Sequence, residues 1–348
     1  MQILRIAAIA AVISSLGSGA VRAYELNPLK NKYHGGRPEG GFWERISETV
    51  HEDITDAAVW CMAGRETAMP SAPCSLDAPG RTADTKGNKW NALIRGVWWN
   101  DDPNQHLFGV HYATWAIWMR DAQGIAKTHR DWLGRTKALN ATYKMQYRSH
   151  YGDLQFLHAM ANADGEAAAE VRRRAINWIG FAYAVAIGNI EAETKLGDID
   201  DPVMTEYFTK QSGWTVNHLF APKFTLGRST IPDVALGSIL HVVQDSFSDS
   251  HATRDYGSSP VCPHGRILEF HAYGSQDSGR HGAADTRSAW RTNSNFTLKM
   301  NPVEASARIL QFAKARAEWH TAVRPYLESE LFCLDLDSRP SGAGEYAS

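Results

Sequence analysis

The 348-residue sequence lacks a segment that would span a membrane and a basic excess that would bind a nucleic-acid backbone. Beyond its first two dozen residues no stretch approaches the ~20 consecutive apolar residues that span a bilayer, so no transmembrane segment is expected. Lys and Arg number 36 against 38 Asp and Glu, which leaves no basic excess for general binding to phosphate backbones. Proline- and serine-rich linkers, charge blocks and internal repeats are also missing, and a single domain is therefore expected rather than two. Alternating apolar and polar runs are scarce, which argues against a β fold and leaves a mostly α class. Only four cysteines occur. Their spacings lack the close pairs typical of cysteine-ligated zinc.

What is present begins with Arg5, an apolar run from Ile6 to Leu16, and small residues leading to Ala23. This pattern predicts a signal peptide over residues 1–23, cleaved after Ala23, and hence a secreted or periplasmic protein. Removing Arg5 and Arg22 leaves 34 basic residues of the 36, against 38 acidic ones. In an exported chain four cysteines are expected to be paired. Cys61 and Cys74 bracket a short loop and make the simplest bridge, leaving Cys262 with Cys333, although three connectivities are open. The domain is expected over 24–336, followed by a flexible tail at 337–348.

Helical period is clearest between Glu166 and Glu193, where Val171, Ala175, Ile176, Trp178, Ile179, Ala182, Val185, Ala186 and Ile190 recur on one face. Thr230 before Ile231-Pro232 and Asn301 before Pro302 predict helix starts. The second helix is expected to run through Ile309, Leu310, Phe312 and Trp319. From Tyr256 to Asn295, glycine, serine and asparagine predict a long loop with short helices.

The most informative run is His241 to His251. His241 and Asp245 are four apart and share a helix face, so they can share a cation, with Asp245 free to bridge to a second. Ten residues of unbroken helix would carry His251 about 15 Å from His241. The helix is therefore expected to end or bend within Ser248-Asp249-Ser250. Four other segments carry ligand-type residues. His51 lies on a helix that Ser47 could cap; Asp101 and Asp102 follow Trp98 and Trp99; His150 follows Ser149; His281 and Asp285 repeat the four-residue spacing. His158, His218, His271 and Asp153 are expected to be hydrogen-bonded structural residues.

In order, these segments resemble the zinc-dependent phospholipases C, which share an all-helical fold and a trinuclear zinc site with fungal single-strand nucleases. The resemblance is nearest to exported bacterial phospholipases C of broad substrate range, in the segments around His51, Trp99 to Pro103 and Ser149 to His158. It implies a single-domain multi-helix fold with long active-site loops and two or three zinc ions. It assigns His150, His241, Asp245 and one of Asp101 or Asp102 to a first zinc, and His251, His281 and Asp285 to a second. His51 and Asp245 would hold a third, which makes Asp245 the bridge. In that family the N-terminal residue, usually Trp, completes the third site; here the expected first residue is Tyr24, His51 follows later than usual, and a residue near Trp43 is the alternative.

Imidazole and carboxylate ligands suit zinc, and clustered zincs suit phosphodiester hydrolysis. Asp101 or Asp102 is the expected general base. Trp98 and Trp99, beside those carboxylates, are expected to meet the substrate, either as a cation–π surface for a quaternary ammonium or as a stacking surface for a base. The activity that the resemblance implies is hydrolysis of phospholipids such as phosphatidylcholine, with peripheral contact to a membrane surface. A single-strand nuclease is the first alternative, and a non-catalytic exported metal-binding protein the second.

Overall fold

The computed structural model describes residues 49–65, 74, 91–103, 112–221, 228–297 and 300–348. Helices make up most of its regular structure: α1 (Val50–Arg65), α2 (Ala92–Trp99), α3 (Tyr112–Thr128), α4 (Met145–Tyr151), α5 (Ala168–Ala186), α6 (Pro202–Tyr207), α7 (Val216–Phe220), α8 (Ile231–Asp245), α9 (Ser278–Ala284), α10 (Arg287–Thr292), α11 (Pro302–Ala315) and α12 (Arg324–Tyr326). The mostly α class expected from the sequence is met. An antiparallel ribbon of β1 (Ala252–Asp255) and β2 (Arg266–Phe270) pairs Ala252 with Phe270 and shifts register between Thr253 and Arg254. Strand β2 lies in the stretch expected to hold only loop and short helices. None of the described helices is long and apolar enough to cross a membrane.

Local chemistry explains the helix ends. The Asn301 side chain accepts the Glu304 amide at 2.8 Å and Pro302 sits in the first turn, where its missing N–H costs nothing. Thr230 precedes Ile231-Pro232 without a side-chain cap, so the proline carries that start. Helix α11 stops at Ala315 because Arg316 is left-handed, at φ 48°, with Ala317 N–H bonded to Phe312 O. Trp319 therefore falls outside it, in a separate turn, and the sequence-based helix ran too far. Helix α5 is likewise shorter than the periodic stretch, ending before Gly188 at φ 79°.

Helix α8 lies at the centre, packed against α2, α5 and α11. Ile231, Val234, Ala235, Ile239, Leu240, Val242 and Val243 are all buried, and Ser238, His241, Gln244 and Asp245 are buried with them, so the polar side chains of this nearly enclosed helix must find partners inside the fold. Its crossing with α2 is unusually close. A Cβ on Gly96 would meet Val234 O at 2.0 Å, and one on Gly237 would meet Leu93 O at 2.1 Å. Two glycines facing each other let the backbones touch, and this contact carries the C-terminal end of α2 onto the middle of α8. A smaller cluster of Met119, Ala122, Ile125, Leu139, Tyr147, Tyr151, Met160 and Tyr273 packs α3 against α4.

Both disulfides pair as the sequence suggested, Cys61–Cys74 and Cys262–Cys333. The second ties the ribbon to the chain after α12, where Ile267 N–H also donates to Cys333 O. The segment 337–348, expected to be flexible, is instead fastened: Ser341 N–H bonds Glu166 O, Ala272 N–H bonds Gly342 O and Asp277 N–H bonds Tyr346 O. Backbone pairing of this kind is a long-range property that the Ser/Gly/Pro composition of the tail did not reveal. The predicted signal peptide lies outside the described residues.

Candidate metal centre

Packing brings the sequence-separated ligands into one buried cluster. Helix α8 ends at Asp245 and the chain turns through Ser246–Ser250, which returns His251 toward Asp245. Helix α2 delivers Asp101 just past its end. There Asn100 is gripped by Leu157 O at 2.6 Å and by the Ser238 hydroxyl at 2.6 Å, while Trp178 donates to the same hydroxyl. The 3-10 turn Gln155–His158 is thereby fixed to both α2 and α8. Helix α9 adds His281, with Asp285 at its C-terminal end.

Four groups of facing ligand atoms result: His51, Asp101 and His241; Asp101, His150 and His158; His158, His241 and Asp245; and His251, His281 and Asp285. Asp245 Oδ1 lies 3.3 Å from His51 Nε2, and its Oδ2 lies 2.9 Å from both His241 Nε2 and His158 Nδ1. Asp101 Oδ1 is 3.0 Å from His150 Nε2. Asp285 Oδ2 is 3.1 Å from His281 Nε2 and 3.8 Å from His251 Nε2. Ligand atoms about 2.0–2.2 Å from a tetrahedral ion stand roughly 3.3–3.6 Å apart; the spacings here, 2.9–3.8 Å, lie on both sides of that range, the shorter ones at hydrogen-bond distance, so small outward shifts of the closest pairs would admit a cation.

The outer nitrogens are committed elsewhere. His241 Nδ1 faces Val97 O at 2.6 Å, His251 Nδ1 faces His158 O at 2.7 Å, His51 Nδ1 faces Gln244 Oε1 at 2.6 Å and His281 Nδ1 faces Gln276 Oε1 at 2.6 Å. The glutamine oxygens face the rings because their amides donate outward, Gln244 to the Thr55 hydroxyl and Gln276 to Ser250 O. Each of these four imidazoles thus donates from Nδ1 and turns Nε2 inward, the orientation of metal-ligating histidines, whose Nε2 lone pair is free when the ring is neutral. Asp285 is oriented in the same manner, its Oδ1 accepting from the hydroxyls of Ser248 and Ser250. Meanwhile His158 Nε2, Asp245 Oδ1, His251 Nε2 and Asp285 Oδ2 are buried without a hydrogen bond among the described residues. A buried polar atom left so costs about 1–3 kcal/mol, and a cation would satisfy several at once.

The electrostatics fit the same donor set. Burial pushes the Asp245 carboxyl up, but His241, His251 and His51 around it hold it well below the usual carboxylate range. Asp101 and Asp285 are lowered against their burial in the same way, chiefly by His241 and by His281 respectively. Burial lowers His241 and His281, and burial with His158 alongside brings His150 down to about 4, so these rings are neutral and able to ligate. His51 and His251 go the other way. Burial opposes their charge, yet Asp245 raises His51, and Asp245 with Asp285 pushes His251 up to about 9. Without a cation, protons on these two rings compensate the carboxylates.

Several expectations need correction or completion. Asp101 lies in the ligand cluster, whereas Asp102, though buried, belongs to none of the groups. Trp98 and Trp99 do not line an accessible site. Both are fully buried, Trp98 donating to Glu52 and Trp99 to Leu219 O while it stacks on Trp178 at 5.2 Å. His158, expected to be merely structural, stands at the junction of two ligand groups; its eight-residue spacing from His150 had no meaning until the 3-10 turn folded it back. His271 and Asp153 are structural as expected, the first bonded to Ser250 O and the Thr253 hydroxyl and the second paired with Arg148, whereas His218 is exposed with its ring tilted against Trp214. Ser47, Tyr24 and Trp43 lie outside the described residues. A further group, Cys61, Cys74 and Glu304, holds no metal because its sulfurs form the disulfide.

A small pocket opens beside the cluster, lined by His150, His158, His251, His281, Met160 and Tyr273 together with Gln155. The buried His/Asp groups can hold a metal ion next to this opening. Compared with known proteins, the chain matches no family model, no curated protein and no solved structure.

Proposed function

We propose that the chain is a zinc-dependent phosphodiesterase of the phospholipase C type, which holds two or three ions and hydrolyses phospholipids such as phosphatidylcholine to diacylglycerol and a phosphorylated head group. The observation that carries this reading is Asp245, fully buried and ionised, with one oxygen turned to His51 and the other to His158 and His241. A carboxylate shared between ligand sets suits a site with more than one ion. Zinc, which imidazole and carboxylate donors favour, would supply charge stabilisation at a phosphoryl oxygen and a water acidic enough to react near neutral pH.

The chain's own groups set the rest. His51, His241, His251 and His281 are locked by their Nδ1 partners, so their inner nitrogens are preorganised. Asp101 is ionised and lies in the cluster, its Oδ1 3.0 Å from His150 Nε2, which makes its carboxylate the group to orient an attacking water and take its proton. Asp102 lacks that position. Tyr273, Met160 and Gln155 complete the lining of the small pocket beside the cluster, whose volume of about 10 Å³ has room for about one water. The two disulfides support export to the periplasm or the medium.

Metal analysis of the full protein, with parallel assays on phosphatidylcholine and single-stranded DNA, tests the reading. The expected result is at least two zinc ions per chain and release of phosphocholine that stops on chelation. Nucleotide release alone would establish the nuclease alternative. Bound metal with neither activity would leave the exported metal-binding protein. Asp101→Asn is expected to lower turnover at least ~100-fold, the usual contribution of a general base, and Asp102→Asn to lower it less.

A further inference from the structure

The segment following α3 is a tied loop that holds large apolar side chains in solvent. Helix α3 ends where His129 turns left-handed, at φ 53°. The chain then folds back on itself, with Arg130 bridged to Thr136 and Lys137 N–H bonded to His129 O. At its centre the buried Asp131 carboxylate accepts the amides of Leu133 and Arg135 and the Arg135 guanidinium. Gly134, at φ 77°, closes the turn with its N–H on Asp131 O, and Arg130 donates to Gly134 O. The tip is thus preformed. Yet it presents Trp132 at 79% exposure and Leu133 at 53%, and Ile117 at 59% stands across the groove that Trp132 lines. Single exposed apolar residues are ordinary; a rigid turn that holds two adjacent ones outward is not explained by folding.

The surroundings are cationic. Residues 117–144 carry Arg120, Lys127, Arg130, Arg135, Lys137 and Lys144 against Asp121 and Asp131, and Asp131 is already paired, whereas the whole chain has a net charge of −2. The groove behind the tip, about 580 Å³, is walled by Trp118, Trp132 and Tyr147. Tyr147 lies one turn before His150 on α4, and Tyr151 on the same helix packs on Tyr273, which contacts His281. The loop and the metal centre therefore share a rigid support.

We propose that this loop docks the protein on a phospholipid bilayer with anionic head groups, Trp132 and Leu133 entering the head-group layer while the flanking lysines and arginines hold the surface. The inference rests on the phospholipase reading and names where that substrate is met. A preformed tip inserts without an ordering cost, and cations around an apolar tip match an anionic interface.

The test is sedimentation of the full chain with vesicles of phosphatidylglycerol and phosphatidylcholine. Binding is expected, with Trp132→Ser combined with Leu133→Ser weakening it ~10–100-fold, the factor for withdrawing two partly buried apolar side chains. Arg120→Glu with Lys127→Glu is expected to weaken it about 5-fold or more per charge removed and to blunt its salt dependence. Both side chains at the tip are exposed, so the double variant should keep the parent's thermal melt and its hydrolysis of a monomeric short-chain phosphatidylcholine. Equal vesicle binding by parent and tip variant, or none by the parent, would overturn the proposal. So would a tip variant that loses single-stranded DNA binding alone. Vesicle binding without any phosphodiester hydrolysis would remove the catalytic reading and keep the docking; hydrolysis of the monomeric lipid without vesicle binding would do the reverse.

Discussion

Gly237→Ala probes the contact on which the candidate metal centre is built. The new methyl carbon would sit 2.1 Å from Leu93 O, 2.6 Å from Val97 N and 2.7 Å from Gly96 Cα, where ordinary contact begins at 3.4 Å. All three atoms are backbone, so no side chain can rotate aside and α2 must move away from α8 by more than an ångström. Overpacking of this severity costs about 3–4 kcal/mol, at or beyond the upper end of the usual range, and alanine returns about 1 kcal/mol of helix propensity. The net loss is about 2–3 kcal/mol, which at roughly 1.4 °C per kcal/mol for a chain of this length lowers Tm by ~3–4 °C. The same displacement pulls Val97 O from His241 Nδ1 and Asp101 from His150, now at 2.6 and 3.0 Å. Loss of such an orienting bond lowers metal affinity ~10–100-fold. Gly124→Ala is the control: it lies in α3 with nothing within 4 Å of the added carbon, and should raise stability by about 0.5–1 kcal/mol. Thermal melts of the metal-free protein and competition with a chromophoric chelator give both quantities. Unchanged melting and affinity in Gly237→Ala, or equal damage from Gly124→Ala, would refute the reasoning.

Asp245→Asn should remove most bound metal, read by elemental analysis of folded protein, because the amide no longer offers two anionic oxygens to the histidines it faces; retention of the parent's full metal content would count against a bridging role. Metal uptake by the metal-free protein at pH 7 should release protons from His251, raised to about 9, and from His51, also raised, since a ligating imidazole must be neutral. The release should fall as pH rises through about 9, where His251 is already deprotonated, and a pH indicator in weak buffer follows it. Replacing Cys262 and Cys333 by Ser frees a separation of 71 residues and should cost about 4 kcal/mol, against about 3 kcal/mol for the 13-residue separation of Cys61 and Cys74, measured by denaturant unfolding.

The elements legible in the sequence are those written in local chemistry. Pro232 and the Asn301-Pro302 pair mark helix starts, helical period marks α5, and the four-residue spacings of His241 with Asp245 and His281 with Asp285 survive folding because one helix turn sets them. Few alternating runs meant few strands, and four cysteines meant two bridges. The tertiary structure decided everything that depends on two distant segments meeting. It chose Asp101 over its neighbour, because the Asn100 bonds and the Gly96–Gly237 contact aim only that carboxylate at His150. It turned Trp98 and Trp99 into the core and brought His158 into the cluster. The fastening of residues 337–348 was likewise invisible, since a polar tail pairs or frays according to the backbone it reaches. Spacing along a helix is a one-dimensional property, whereas burial and ligand convergence depend on which faces of distant segments pack together, and that is set by the fold as a whole.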